Sequence, residues 1–285
     1  MNEAIRSRME LEGIHLPAHI MNETLDVLTS HESVRGFQNT PIPEEALQAI
    51  LTAARSAPTS SNLQAYSIIV VQDEARKARL AELSGRQGFI VEAPVFLIFS
   101  ADIYRLKHIT QRQGYRFAAD TLEMFLLASV DAALALQNAL VAAESMGMAA
   151  VPVGSVRNNP AAVALELGFP EGVFALAGLA VGIEREGVRR GVKPRLPEHV
   201  TVHKERYSTE GLDDGLAAYD QTMIGRRTYD GRRVSMAGEV ERQGVEYGWT
   251  EHSARRCTRP ETIAASASLR TNLKQVLEQL GFAIR

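Results

Sequence analysis

The run from Asp120 to Met146 (DTLEMFLLASVDAALALQNALVAAESM) constrains this chain more than any other segment. Phe125, Leu126, Leu127, Val130, Leu134, Leu136, Leu140 and Val141 place apolar side chains on almost every side of a helix, and Gly147 ends it. A helix apolar all round belongs inside a core or between subunits. In a chain of 285 residues, 45% of them apolar, there is enough material around it for a sizeable core.

The segments on either side supply that core. Residues 1–12 and Glu23–Thr29 read as short helices. Pro43-Glu44-Glu45 opens another that stops near Arg55, with acids at the positive dipole end and Ala46, Leu47, Ile50, Leu51 and Ala54 at helical spacing. Ser67–Val71 and Pro94–Ser100 are short apolar runs typical of buried strands, with a helix over Glu74–Ser84 between them. Ala149–Val153 and Phe174–Ile183 read as further strands, separated by a helix starting at Pro160. Glu184–Pro197, with Arg185, Arg189, Arg190, Lys193 and Arg195, reads as a loop. From Lys204 onward the chain is polar, and its one amphipathic stretch is Leu269–Leu280.

Composition removes several classes. The 31 basic residues against 34 acidic ones leave a net charge of −3, so there is no chain-wide basic field for nucleic acid. A lone Cys257 excludes a disulfide framework and a cysteine-rich zinc site. No HExxH-type spacing suggests a metal, and His108, His199, His203 and His252 read as surface residues. The N-terminus lacks the apolar stretch of a secretory signal, and no segment reads as a membrane span. The expectation is a cytoplasmic globular protein.

Four segments carry possible chemistry. In an extended stretch His31, Ser33 and Arg35 point one way; they suit a phosphate or polar heterocycle, or merely cap the helix after Pro43. Ala57–Gln64 crowds short donors into a loop, for a polyhydroxyl chain or phosphate, or for its own backbone. Lys193-Pro194-Arg195 suits a dianionic phosphate, or is a solvated surface. Gly154, just after a strand, lets a flat ligand approach the backbone, or is a simple turn.

Taken in order, HESVRGF (31–37), AARSAPTSSNLQAYSIIVV (53–71), the long helix (122–148), PVGSVRNNP (152–160), LAGLAVG (176–182) and KPRLP (193–197) resemble the nitroreductase superfamily. Within it, the chain looks most like the NADPH-dependent flavin reductase and oxygen-insensitive nitroreductase branch. The resemblance spans about Ser30 to Asp220. It implies an α+β fold, a mixed and mainly antiparallel sheet flanked by helices, in an intertwined homodimer with FMN at the dimer interface. Residues 1–30 are then an extension, 31–203 the FMN-binding core, and 204–285 an arm of the same domain packing on core and partner subunit.

By matching position, His31, Ser33, Lys193 and Arg195 would hold the FMN phosphate and ribityl end. Arg35 would lie near the pyrimidine edge, Thr59 and Ser61 would reach the cofactor of the other chain's site, and Gln87 would hydrogen-bond the pyrimidine. Pro152, Gly154 and Ser155 would line the ring near N5. Arg227, with Arg226 and Arg232 close behind, would take the NADPH 2′-phosphate, in a region (221–260) that carries an insertion. Glu32, Pro152 and Ser155 depart from residues common in relatives, which bears on substrate preference. The implied activity is NAD(P)H-dependent reduction of nitroaromatics, quinones or free flavin by ping-pong hydride transfer through flavin N5, with no catalytic side chain. The same scaffold also suits a flavin-destroying or dehalogenating enzyme, or a non-enzymatic FMN-binding protein.

Overall fold

The computed structural model describes residues 3–188, 191–234, 246–258 and 272–283. Arg189, Arg190 and the start of the Leu269–Leu280 stretch lie outside the described residues, as does part of the insertion. Two compact units emerge: Glu32–Arg190 with Ala264–Arg285, and Met1–His31 with Gly191–Ile263.

The larger unit is built on four strands: β1 (Tyr66–Val71), β2 (Val95–Asp102), β3 (Ala149–Val153) and β4 (Val173–Gly182). Their order is β1-β2-β4-β3, with antiparallel pairing throughout. All eight residues of β2 are buried, because it lies inside the sheet and is covered on both faces. Alternation sorts its side chains. Val95, Leu97 and Phe99 join a core with Leu47 and Ile50 of α3 (Glu44–Arg55) and Ala132, Ala135 and Ala139 of α7 (Leu122–Ser145). Phe96 and Ile98 face the opposite core, with Leu80 of α4 (Glu74–Leu83), Ile90 of α5 (Phe89–Glu92) and Val163 of α8 (Pro160–Glu166). A third core joins Leu106 of α6 (Tyr104–Arg112) to Ala128 of α7 and Leu277 of α12 (Leu273–Gln279).

Local signals account for the helix ends. Asp73 Oδ1 caps α4 by accepting Arg76 N–H at 2.8 Å, and Thr121 Oγ1 caps α7 by accepting Met124 N–H at 3.3 Å. Gly147 leaves α7 at φ 76°, a conformation that favours glycine. The short helices α5 and α6 have no counterpart in the sequence reading. In α6 only Leu106 is buried, so its periodicity is faint.

The long helix is not equally covered on all sides. Its buried face is mostly alanine (Ala128, Ala132, Ala135, Ala139, Ala143), which lets the helix axis approach the sheet closely. Leu122, Leu126, Val130 and Leu134 instead form an exposed stripe at four-residue spacing. By length and composition α7 passes as a membrane span, contrary to the expectation from sequence. Asp131, buried in its middle and bonded to another segment, marks its inner face as one that packs on protein.

The smaller unit contains α1 (Glu3–Glu12), α2 (Glu23–Thr29), α9 (Glu198–Thr201), α10 (Leu212–Gly225) and α11 (Trp249–Cys257). The polar C-terminal region therefore holds more helix than its composition suggests. The Tyr219 and Trp249 rings meet edge to face at 5.3 Å, joining α10 to α11. Asp220 Oδ1 accepts Thr250 N–H at 2.8 Å at the start of α11.

Candidate functional site

In the larger unit the segment after His31 runs beside the edge strand β3. Val34 N–H donates to Ala150 O at 3.4 Å, and Phe37 bridges to Glu184. Val34 and Phe37 are buried, which turns Ser33 and Arg35 away from the core. Gly36 is required, since a Cβ there would stand 2.7 Å from Val188 Cγ1. Pro152 is exposed on β3, where an edge strand tolerates a missing N–H. Gly154 and Ser155 then open a 3₁₀ turn, Gly154–Asn158.

Behind that turn the Arg157 guanidinium donates to Leu176 O, and burial pulls its pKa down. It stands 3.3 Å from where a Gly154 Cβ would be. A second turn adjoins the first. After α4 the chain reverses through Gly85 (φ 78°) and Arg86 (φ 60°), and Arg86 N–H returns to Ala81 O at 2.8 Å. A Cβ on Gly85 would lie 3.0 Å from Asn158 Nδ2. Gln87, half-buried, follows at once. The two turns meet where Gly85 faces Asn158: one is followed by Gln87, a neutral amide able to donate and accept, and the other opens on the Cβ-free backbone of Gly154. Such a donor set fits the edge of a flat heteroaromatic ring.

Thr59 and Ser61 sit in a separate, tightly held loop. Ser61, Asn62 and Gln64 have φ of 49°, 56° and 51°. Asp131 Oδ1 accepts Ser60 N–H at 3.0 Å and its Oδ2 accepts Ala65 N–H at 3.1 Å. Arg105 Nη2 donates to Gln64 O at 2.7 Å and also to Tyr66 O. Burial raises the Tyr66 pKa against the pull of Arg55 and Arg105. Sequence reasoning missed Asp131; the available signal was a single acid amid apolar neighbours.

In the smaller unit Lys193 and Arg195 are exposed, on a segment pinned by its backbone. Arg195 N–H donates to Glu12 Oε1 at 2.6 Å, and Arg8 Nε holds the same oxygen at 2.7 Å. Tyr219 OH donates to Pro194 O at 3.2 Å, and Arg226 Nη2 to Val192 O at 3.0 Å. Glu12, in the part of the chain read as an extension, thus supports the basic segment, a role no sequence pattern announces. Arg227, at φ 52°, pairs with Asp230 at 2.8 Å on the exposed surface.

His252 corrects the reading of a surface histidine. It is half-buried, its ring 4.6 Å from Tyr229 and 5.9 Å from Tyr247. Arg233 and Arg255 each lie 5.4 Å from the Tyr247 ring centre. Burial, with Tyr219 and Asp220 adding, pushes the Tyr229 pKa up to about 12.

Residues 28–183 match the Nitroreductase family, and residues 193–285 match the Nitroreductase family, C-terminal domain. An FMN reductase (NAD(P)H) of Bacillus subtilis (strain 168) is 41% identical over 207 residues, 71% of this chain and 82% of that protein. An NADPH-flavin oxidoreductase of Vibrio harveyi is 40% identical over 203 residues, with the same coverage of both chains. Among solved structures, the hypothetical oxidoreductase YcnD from Bacillus subtilis superposes with a TM-score of 0.82 at 34% identity, covering 93% of this chain and 100% of its own.

Proposed function

The chain belongs to the nitroreductase family, and from that premise we propose that it is a homodimeric, FMN-dependent NAD(P)H oxidoreductase. The observation that carries this reading is the pair of adjoining turns, one leading into Gln87 and the other opening on Gly154, with the Gly85 Cβ position 3.0 Å from Asn158 Nδ2 where they meet. FMN, when bound, would supply the redox chemistry, namely hydride transfer between NAD(P)H and a nitroaromatic, a quinone or free flavin.

The chain's own residues bind and orient. Gln87 would pair with the pyrimidine edge, and Pro152, Gly154 and Ser155 would line the ring. Arg35, exposed two residues after Ser33, would supply positive charge to the anionic reduced cofactor. Thr59 and Ser61 add hydroxyls from the 59–65 loop. His31, Ser33, Lys193 and Arg195 hold the phosphate and ribityl end. Arg227 takes the NADPH 2′-phosphate, for which a guanidinium fork is suited. The exposed Leu122–Leu134 stripe of α7 supplies the apolar face between subunits.

The purified protein should be yellow, carry one FMN per subunit, and lose its flavin absorbance rapidly on anaerobic mixing with NADPH. A colourless protein that takes up no added FMN would overturn the flavin reading. A bound flavin left oxidised by NADPH and NADH would overturn the oxidoreductase reading.

A further inference from the structure

Asp131 is a buried acid on a helix face otherwise made of alanines and two leucines, and its two oxygens reach outside the helix. A buried carboxylate is costly unless it is hydrogen-bonded; here each oxygen takes one backbone N–H. The two donors, Ser60 and Ala65, bracket the loop segment whose Ser61, Asn62 and Gln64 hold positive φ. Non-glycine residues rarely adopt that region, so such a shape persists only where its surroundings impose it.

We propose that Asp131 is a positioning residue that clamps the 59–65 loop in the shape presenting Thr59 and Ser61 to the flavin, an inference that rests on the flavin reading above. A carboxylate suits the task because it accepts on both oxygens; an amide would turn an NH₂ toward one of the two donors. Arg105 closes the loop from the other side through the Gln64 and Tyr66 carbonyls. Asp131 also adjoins Val130 of the exposed α7 stripe, so the loop is fastened to the helix that carries the proposed subunit face.

The test compares Asp131→Asn and Ser60→Pro in the full-length protein. The second variant removes one donor without touching α7, and the extended Thr59 before it (φ −131°, ψ 150°) is the conformation a proline requires. FMN affinity by flavin fluorescence, visible flavin circular dichroism, and hydrogen exchange of residues 60–65 are measured well below the melting temperature. The expected result is faster exchange in the loop, an altered flavin signal and FMN binding weaker by about tenfold. Thr59→Ala and Ser61→Ala separate the two ideas. If they weaken FMN binding while Asp131→Asn and Ser60→Pro leave affinity, dichroism and exchange unchanged, the clamp is wrong and the flavin reading stands. If exchange rises in the clamp variants but neither the wild type nor any variant binds FMN, the flavin reading fails and takes the positioning role with it. Should Asp131→Asn not fold, Ser60→Pro decides alone.

Discussion

The Tyr247 hydroxyl lies 3.0 Å from Nδ1 of His252 while accepting Val234 N–H at 2.8 Å. A neutral His252 with Nδ1 unprotonated can accept the hydroxyl proton, leaving the Tyr247 oxygen to accept Val234 N–H. Burial lowers the His252 pKa, and Arg256 and Arg232 lower it further.

The unfolded chain then binds this proton more readily than the folded one. The stability from this contact is present above the ordinary histidine range and falls as pH drops through about 6.5. Melting temperature should decline over that window in the wild type and less steeply in His252→Phe. Identical slopes would show that the contact has no part in the pH response.

Gly178 sits in β4 opposite Ile98, and a Cβ there would overlap the fully buried Phe96 ring. Gly178→Ala should lower stability to denaturant by about 1–3 kcal/mol, the usual cost of overpacking a core. Gly88 has open space around its Cβ position and a helical φ of −57°. Gly88→Ala should differ from wild type by under about 1 kcal/mol.

Leu126 and Val130 are 56% and 49% exposed in the single chain. A permanent dimer closing over this stripe would bury more than about 2,000 Å² in total. Leu126→Glu with Val130→Glu should shift sedimentation toward monomer and weaken FMN binding in parallel. A double variant that sediments as the wild type would remove α7 from the interface.

Lys193 and Arg195 are exposed, with Arg195 Nη1 donating to Lys193 O at 2.9 Å, while Glu12 and Tyr219 hold the backbone between and beside them. Replacing either by alanine should weaken FMN binding roughly ten- to hundred-fold, the value of a charge-assisted hydrogen bond. Unchanged titrations for both variants would make this segment a plain solvated surface.

Arg227 is held only by the exposed Asp230 pair among the hydrogen bonds described for its side chain, an arrangement worth little on its own. A 2′-phosphate should compete for it easily. Arg227→Ala should raise KM for NADPH with little effect on NADH. An unchanged ratio of the two efficiencies would pass the role to Arg226 or Arg232.

Much of the larger unit is legible from short stretches of chain. The Pro43-Glu44-Glu45 start, the apolar β1 and β2 runs and the α7 stretch all match their observed elements to within a few residues. Each is written in the periodicity and end residues of a single segment. The polar faces of α6 and α11 hide theirs, because one buried position per helix, Leu106 or Arg255, makes no pattern. Most of the candidate residues stand in donor-rich or cationic clusters, whereas Gln87 and Pro152 were named only through the family resemblance.

What holds those residues was not. The Asp131–Ala65 bond joins positions 66 apart, and Glu12 meets the Arg195 amide across 183. A hydrogen bond between distant positions leaves no local period, so neither acid stands out until the chain has folded around it. Sequence alone determined the strands, the strongly patterned helices and the chemical types on offer, since those follow from neighbours along the chain. Tertiary structure decided which side of α7 stayed open, that His252 lies between two tyrosines, and which buried acids clamp the loops, since burial and hydrogen bonding depend on neighbours in space.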